Sequence, residues 1–132
     1  MTRTQPAPTA ARSATSVRAV QAAAVLSVLA LLWQFATAGR ILSGSDATGL
    51  HGAGAIALHI TTALLVVATL LHARVGGARW PVVVAAAVFV ASFVQAALGS
   101  AGNMTAHVPG ALVLVVGTIW VTAWAFRRRP EA

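Results

Sequence analysis

Four long apolar stretches divide the chain, separated by short polar or turn-rich segments. They run from about Ala19 to Gly39, Leu50 to Ala73, Trp80 to Gly99 and His107 to Phe126. An α-helix rises ~1.5 Å per residue, so about 20 apolar residues suffice to cross the hydrocarbon core of a bilayer. Each stretch meets that length. No residue between Arg79 and Arg127 carries a formal charge, yet that stretch is too long for one span. The turn-rich segment Ser100-Ala-Gly-Asn-Met104 splits it in two. The pattern therefore predicts an all-α, polytopic membrane protein, a bundle of four transmembrane helices occupying residues 17–126. Residues 1–16, rich in Thr, Ser, Ala and Pro, are expected to form a disordered tail, and residues 127–132 a short basic one.

Composition agrees. Of the 132 residues, 58% are hydrophobic and only 8% charged, whereas a soluble domain carries about 25% charged residues to face water. The formal charge of +7 comes from arginines in tails and connections, not from a basic stripe on a soluble element. That placement excludes nucleic acid as the expected partner and leaves the lipid bilayer, with other membrane subunits or a second copy of the chain as further candidates. With no cysteine, disulfides, thiolate metal sites and Cys nucleophiles are excluded.

The arginines also set direction. Arg3, Arg12 and Arg18 precede the first span, Arg74 and Arg79 lie between the second and third, and Arg127, Arg128 and Arg129 follow the fourth. Four spans put these on one side, with Arg40 alone on the other. The positive-inside rule then places both termini in the cytoplasm of a multi-pass plasma-membrane protein. Ala36-Thr-Ala38 resembles a signal-peptidase site, but the apolar stretch before it is longer than a usual signal sequence, so the first stretch reads as a retained span.

The two halves repeat. In the first, Gln34 and Gly39 are followed by a polar connection and His51-Gly-Ala-Gly54; in the second, Gln95 and Gly99 are followed by a connection and His107-Val-Pro-Gly110. Thr48 and Thr105 are candidate N-caps, and Pro109 suits a first helical turn. Two repeated helical hairpins imply a pseudo-twofold axis along the membrane normal. It would bring His51 and His107 to the same depth on facing helices, with Gly54 and Gly110 one turn deeper.

Strongly polar groups in a span are costly and usually face the bundle interior. His72, beside Arg74, reads as an interfacial residue. His59 follows His51 at a rotation of roughly 80° and needs an internal partner, for which Gln34, Gln95 or a backbone carbonyl are candidates. His51 and His107 are the sharper pair, because two neutral imidazoles facing across a bundle can ligate a haem iron, with glycines letting a macrocycle approach. Zinc is disfavoured, since neither carboxylate nor Cys completes a tetrahedral set.

Phe93-Val-Gln95-Ala-Ala-Leu-Gly99 and His107-Val-Pro-Gly110 resemble the helix-end and helix-start pattern of haem A synthase. That family has two four-helix halves, each with a haem site taking one His from its second helix and one from its fourth. The resemblance covers roughly Leu32 to Val116 and implies His51 and His107 as axial ligands, with His59 a substitute for His51. The residues before His51, Asp46-Ala-Thr-Gly-Leu50, lack the family's Glu, and the paired Cys of many synthases are missing, which argues against synthase activity. The chain also resembles small four-helix membrane proteins of actinobacteria, for which the likeness implies a fold alone. A haem b-binding, electron-transfer type of bundle and a cofactor-free accessory subunit are the two expectations. Hydrolysis finds no acid pair, nucleophile elbow or phosphate loop, and transport finds no embedded charge or broken helix.

Overall fold

The structure is a computed structural model that describes residues 8–127, with side chains from Arg12 onward. It contains four helices: α1 (Pro8–Leu42), α2 (Thr48–Arg74), α3 (Trp80–Ser100) and α4 (Met104–Arg127). All four are long and apolar enough to cross a membrane. The connections are short, which forces sequence neighbours to run antiparallel. Gly44 and Gly102 adopt φ of +83° and +69° in the turns of the first and second hairpins, the left-handed conformation that ends a helix cheaply only at glycine. The helices form a ring in chain order, each touching its two neighbours, while α1 and α3, like α2 and α4, make no close backbone approach.

The interior is built from small and medium side chains in two layers. Val20, Ala23, Ala24, Leu65, Ala68, Ala85, Val121 and Ala125 form one layer toward the end that holds the chain termini. Ala30, Leu31, Leu58, Val88 and Leu114 form the other, toward the opposite end. The larger apolar residues point outward: Leu32, Ile56, Val90, Val113 and Val116 are all about 60% exposed. Such a surface would be untenable in water and is ordinary in lipid, where small faces pack inward and bulky ones meet acyl chains. Most hydroxyls within the spans bond to their own helix, although the buried Thr118 Oγ1 has no hydrogen-bond partner among the described residues. Ser27, Thr62, Thr69 and Thr122 each donate to the carbonyl four residues earlier, at 2.7–2.9 Å.

Five arginines (Arg12, Arg18, Arg74, Arg79 and Arg127) gather at the terminal end among the described residues, and Arg40 and Asp46 lie at the other. The aromatic residues of the arginine-rich end form a chain, with Trp80 against Trp120 and Trp124, and Trp124 against His72.

Several sequence expectations need correction. Residues 8–16 are helical and belong to α1 instead of lying in a disordered tail; Pro8 opens the helix, the Ala-rich start favours it, and Ser16 and Val17 bury against the bundle. Residues 1–7 and 128–132 lie outside the described residues. Thr48 caps nothing: Ala47 occupies the N-cap of α2 without a side-chain bond, and Thr48 donates to Asp46 at 3.1 Å. Helix α4 starts earlier than Thr105 implied, because Asn103 accepts the Ala106 N–H on its side chain at 3.2 Å. Pro109 therefore falls beyond the first turn and leaves the Thr105 carbonyl without its usual helical partner.

Layer packing gives a sharp contrast between adjacent residues. Leu65 is fully buried, whereas Leu64 is half exposed to the lipid side. Leu65→Ala should destabilise the bundle by about 2–5 kcal/mol, read as a fall in the detergent unfolding midpoint, while Leu64→Ala leaves that midpoint nearly unchanged.

Candidate functional site

The hairpin repeat has a structural counterpart at the end opposite the arginines. His51 and His107 are each the fourth residue of their helices, and Gly54 and Gly110 each the seventh. The backbone N–H of His51 donates to Ala47 and that of His107 to Asn103, both at 2.9 Å, so the two helix starts share one geometry. The imidazoles meet across the α2–α4 diagonal with ring centroids 6.4 Å apart and planes at 69°. A second ring pair on the same diagonal, His72 with Trp124 at 5.4 Å, lies at the opposite end of the bundle.

Hydrogen bonding fixes the tautomer of His107: its Nδ1 lies 2.9 Å from the Gln95 carbonyl, which can only accept, so Nδ1 carries a proton. His51 Nδ1 lies 2.9 Å from Thr37 Oγ1. The Thr37 hydroxyl also has the carbonyls of Trp33 and Gln34 as acceptors, at 2.9 and 3.1 Å; with its one proton on either, its oxygen accepts from His51 Nδ1–H. In that arrangement an unprotonated Nε2 on either ring would offer a lone pair. Fixing one ring nitrogen as a donor to prepare the other as a ligand is the usual arrangement around metal-bound histidine.

The two glutamines fill the space beside the glycines. A Cβ on Gly110 would collide with the Gln95 amide nitrogen, and one on Gly54 with the Trp33 indole and, more loosely, the Gln34 amide. Gly99 does the same for the His107 ring, whose Cε1 would lie 3.0 Å from a Cβ there. Trp33 Nε1 donates to the Leu50 carbonyl at 3.1 Å and Gln34 Nε2 to the His51 carbonyl at 3.2 Å, tying α1 to the first turn of α2. The side-chain oxygens of both glutamines are buried without a hydrogen-bond partner. A buried amide oxygen with no donor is costly, so two of them beside two available imidazole nitrogens mark a pocket rich in lone pairs and short of donors.

The other histidines lie elsewhere. His59 turns toward α3, where its Nδ1 bonds Ser92 Oγ at 2.8 Å and its ring stacks on Phe93 at 4.0 Å. Its partner is thus a serine, in place of the glutamine or carbonyl expected from sequence. His72 is buried at the arginine-rich end, with Nδ1 3.0 Å from Ser16 Oγ. Thr37, Ser92 and Ser16, which orient three of the four histidines, escaped the sequence reading; for Thr37 and Ser92 the signal is a lone hydroxyl in an apolar span at the depth of a histidine, and Ser16, in a Ser/Thr-rich segment, carries none.

No family model matches this chain, and no curated protein and no solved structure shows detectable similarity to it. Its chemistry has to be read from its own residues.

The close fits differ in cost. Gly110→Ala meets only the flexible end of Gln95 and should cost under about 1 kcal/mol. Gly117→Ala drives a Cβ against the stiff Val88 side chain and should lower stability by about 1–3 kcal/mol, seen as a reduced detergent unfolding midpoint. Gly52 faces open space, and Gly52→Ala should leave the midpoint unchanged or raise it, since alanine is the better helix former by about 1 kcal/mol.

Proposed function

We propose that this chain is a small haem b-binding membrane protein of electron-transfer type, with His51 and His107 as the axial ligands and no catalytic residues of its own. The observation that carries this reading is the prepared pair of rings. Two metal–nitrogen bonds of about 2.0 Å, plus the distance from each nitrogen to its ring centre, sum to about 6.3 Å, close to the 6.4 Å between centroids. A macrocycle beside the rings would have to displace the side chains of Gln34, Gln95 and Trp33, which now lie against the bare backbones of Gly54 and Gly110. Haem ligated by two histidines supplies one-electron transfer.

The chain's own residues have defined parts in this reading. In this reading Thr37 and the Gln95 carbonyl engage Nδ1 of the two rings and leave Nε2 as the ligating nitrogen. The Gln34 and Gln95 amides offer hydrogen-bonding groups at the edge of the site. His59 is the weaker candidate ligand, because its ring is committed to Ser92 and Phe93. The gathering of arginines at the terminal end supports cytoplasmic termini in the plasma membrane, with the histidine pair near the outer face.

A second reading, an accessory subunit without cofactor, is favoured by one feature. Gly49, Ala53 and Ala57 form an exposed stripe of small residues at four-residue spacing on α2. Such a stripe lets another helix approach closely, whether from a larger complex or from a second copy.

An absorption spectrum of protein purified in mild detergent from cells with ample haem separates the two. The haem reading expects a sharp Soret band with resolved α and β bands after dithionite reduction. His51→Ala and His107→Ala should each remove the low-spin spectrum, His59→Ala should keep it, and Thr37→Val should weaken haem affinity by about tenfold. A flat visible spectrum from the intact protein would refute the haem reading and leave the accessory role.

A further inference from the structure

A second candidate site lies at the opposite end of the molecule. Where α2 ends and α3 begins, the connection Val75–Arg79 turns back around an open cleft of about 490 Å³. Leu70, Ala73, Val82 and Val83 form its apolar walls, and Arg74 and Arg79 are its charged residues. Leu70 and Val83 face outward on the lipid side, and both arginines are exposed. The cleft thus combines a greasy wall along the spans with two guanidinium groups at their ends.

Three further observations bear on what it would hold. Arg79 is the N-cap of α3, so the positive end of that helix dipole adds to the two guanidinium charges. The described residues place no acidic side chain at this end, the one described acid, Asp46, being at the other, so among them neither arginine has a carboxylate to pair with. Trp80, next to Arg79, belongs to the tryptophan chain that includes Trp120 and Trp124, and tryptophans of this kind mark the headgroup level of a bilayer. The guanidiniums therefore stand at the depth where lipid phosphates lie, and the apolar wall at the depth of the first acyl methylenes.

We propose that this cleft binds an anionic phospholipid, its phosphate held between Arg74 and Arg79 and the upper part of an acyl chain lying along Leu70 and Val83. A phosphate matches the planar donor fork of arginine. Net negative charge on the lipid is required because a zwitterionic headgroup brings its own cation against the same arginines. Basic pockets between transmembrane helices on the cytoplasmic side commonly recognise lipid headgroups in this way. The inference does not depend on the haem reading, since the two sites lie at opposite ends of the bundle.

Native mass spectrometry of the full chain in detergent, titrated with phosphatidylglycerol or phosphatidylcholine, tests it. The intact protein should bind phosphatidylglycerol in preference to phosphatidylcholine and show a raised unfolding midpoint with the former. R74Q/R79Q should weaken phosphatidylglycerol binding by about 25-fold, taking about fivefold per arginine near a membrane surface. R12Q/R18Q, which removes two arginines of the same end that do not line the cleft, should keep the preference. Equal binding of the two lipids by the intact protein would overturn the proposal, as would equal losses in the two double variants. Stabilisation by inorganic phosphate alone, equal to that by phosphatidylglycerol, would overturn the lipid assignment.

Discussion

A hydrogen-bonding group in hydrocarbon has no water to turn to, so each one must be matched inside the protein or left at a cost of several kcal/mol. This constraint organises the bundle around its four histidines. His51, His59 and His72 direct Nδ1 at a hydroxyl oxygen, and His107 directs it at a backbone carbonyl. The three hydroxyls belong to residues whose own protons go to a carbonyl three or four positions earlier. With its proton on that carbonyl, each hydroxyl serves its histidine as an acceptor, and helix geometry alone supplies the partner, with no carboxylate among these hydrogen bonds.

Much of the fold was legible because length and charge are enough to recognise spans. The four apolar stretches and the arginine segregation predicted four helices and their common ends, and the structure carries helices at all four. Helix ends were less legible. Thr48 and Thr105 were the obvious capping residues by type, yet Ala47 and Asn103 stand at the caps: at α2 the turn sets the start without a side-chain bond, and at α4 a competing capper, Asn103, takes the role two residues earlier. The early start of α1 was hidden for a related reason. The composition of residues 8–16 suits a solvated tail, and only the docking of Ser16 onto His72, far away in sequence, makes the helical form pay off.

The candidate site shows the same division. The repeat of Gln, Gly and His was visible as spacing, and it placed His51 opposite His107; that each glutamine would lie against the Gly54 or Gly110 of its own hairpin was not. The hydroxyl partners were not visible, because Thr37 and Ser92 lie on other helices and nothing in their local sequence says which histidine they will meet. Direction was the missing information for His59: rotation around α2 points it at α3, but only packing shows that Ser92 and Phe93 receive it.

The contacts between glutamine and glycine lie within hairpins, Gln34 with Gly54 and Gln95 with Gly110, whereas the two imidazoles come from different hairpins. Each hairpin is therefore a half-site, and the pair of rings exists only when the halves are docked. Anything that engages both nitrogens at once binds the associated form and not the separated one. Its affinity and the free energy of hairpin association become linked quantities, so that a ligand concentration well above its dissociation constant acts as a clamp on assembly. By the same linkage, a substitution at the interface between hairpins, far from either histidine, would weaken ligand binding in proportion to how much it loosens the docked state.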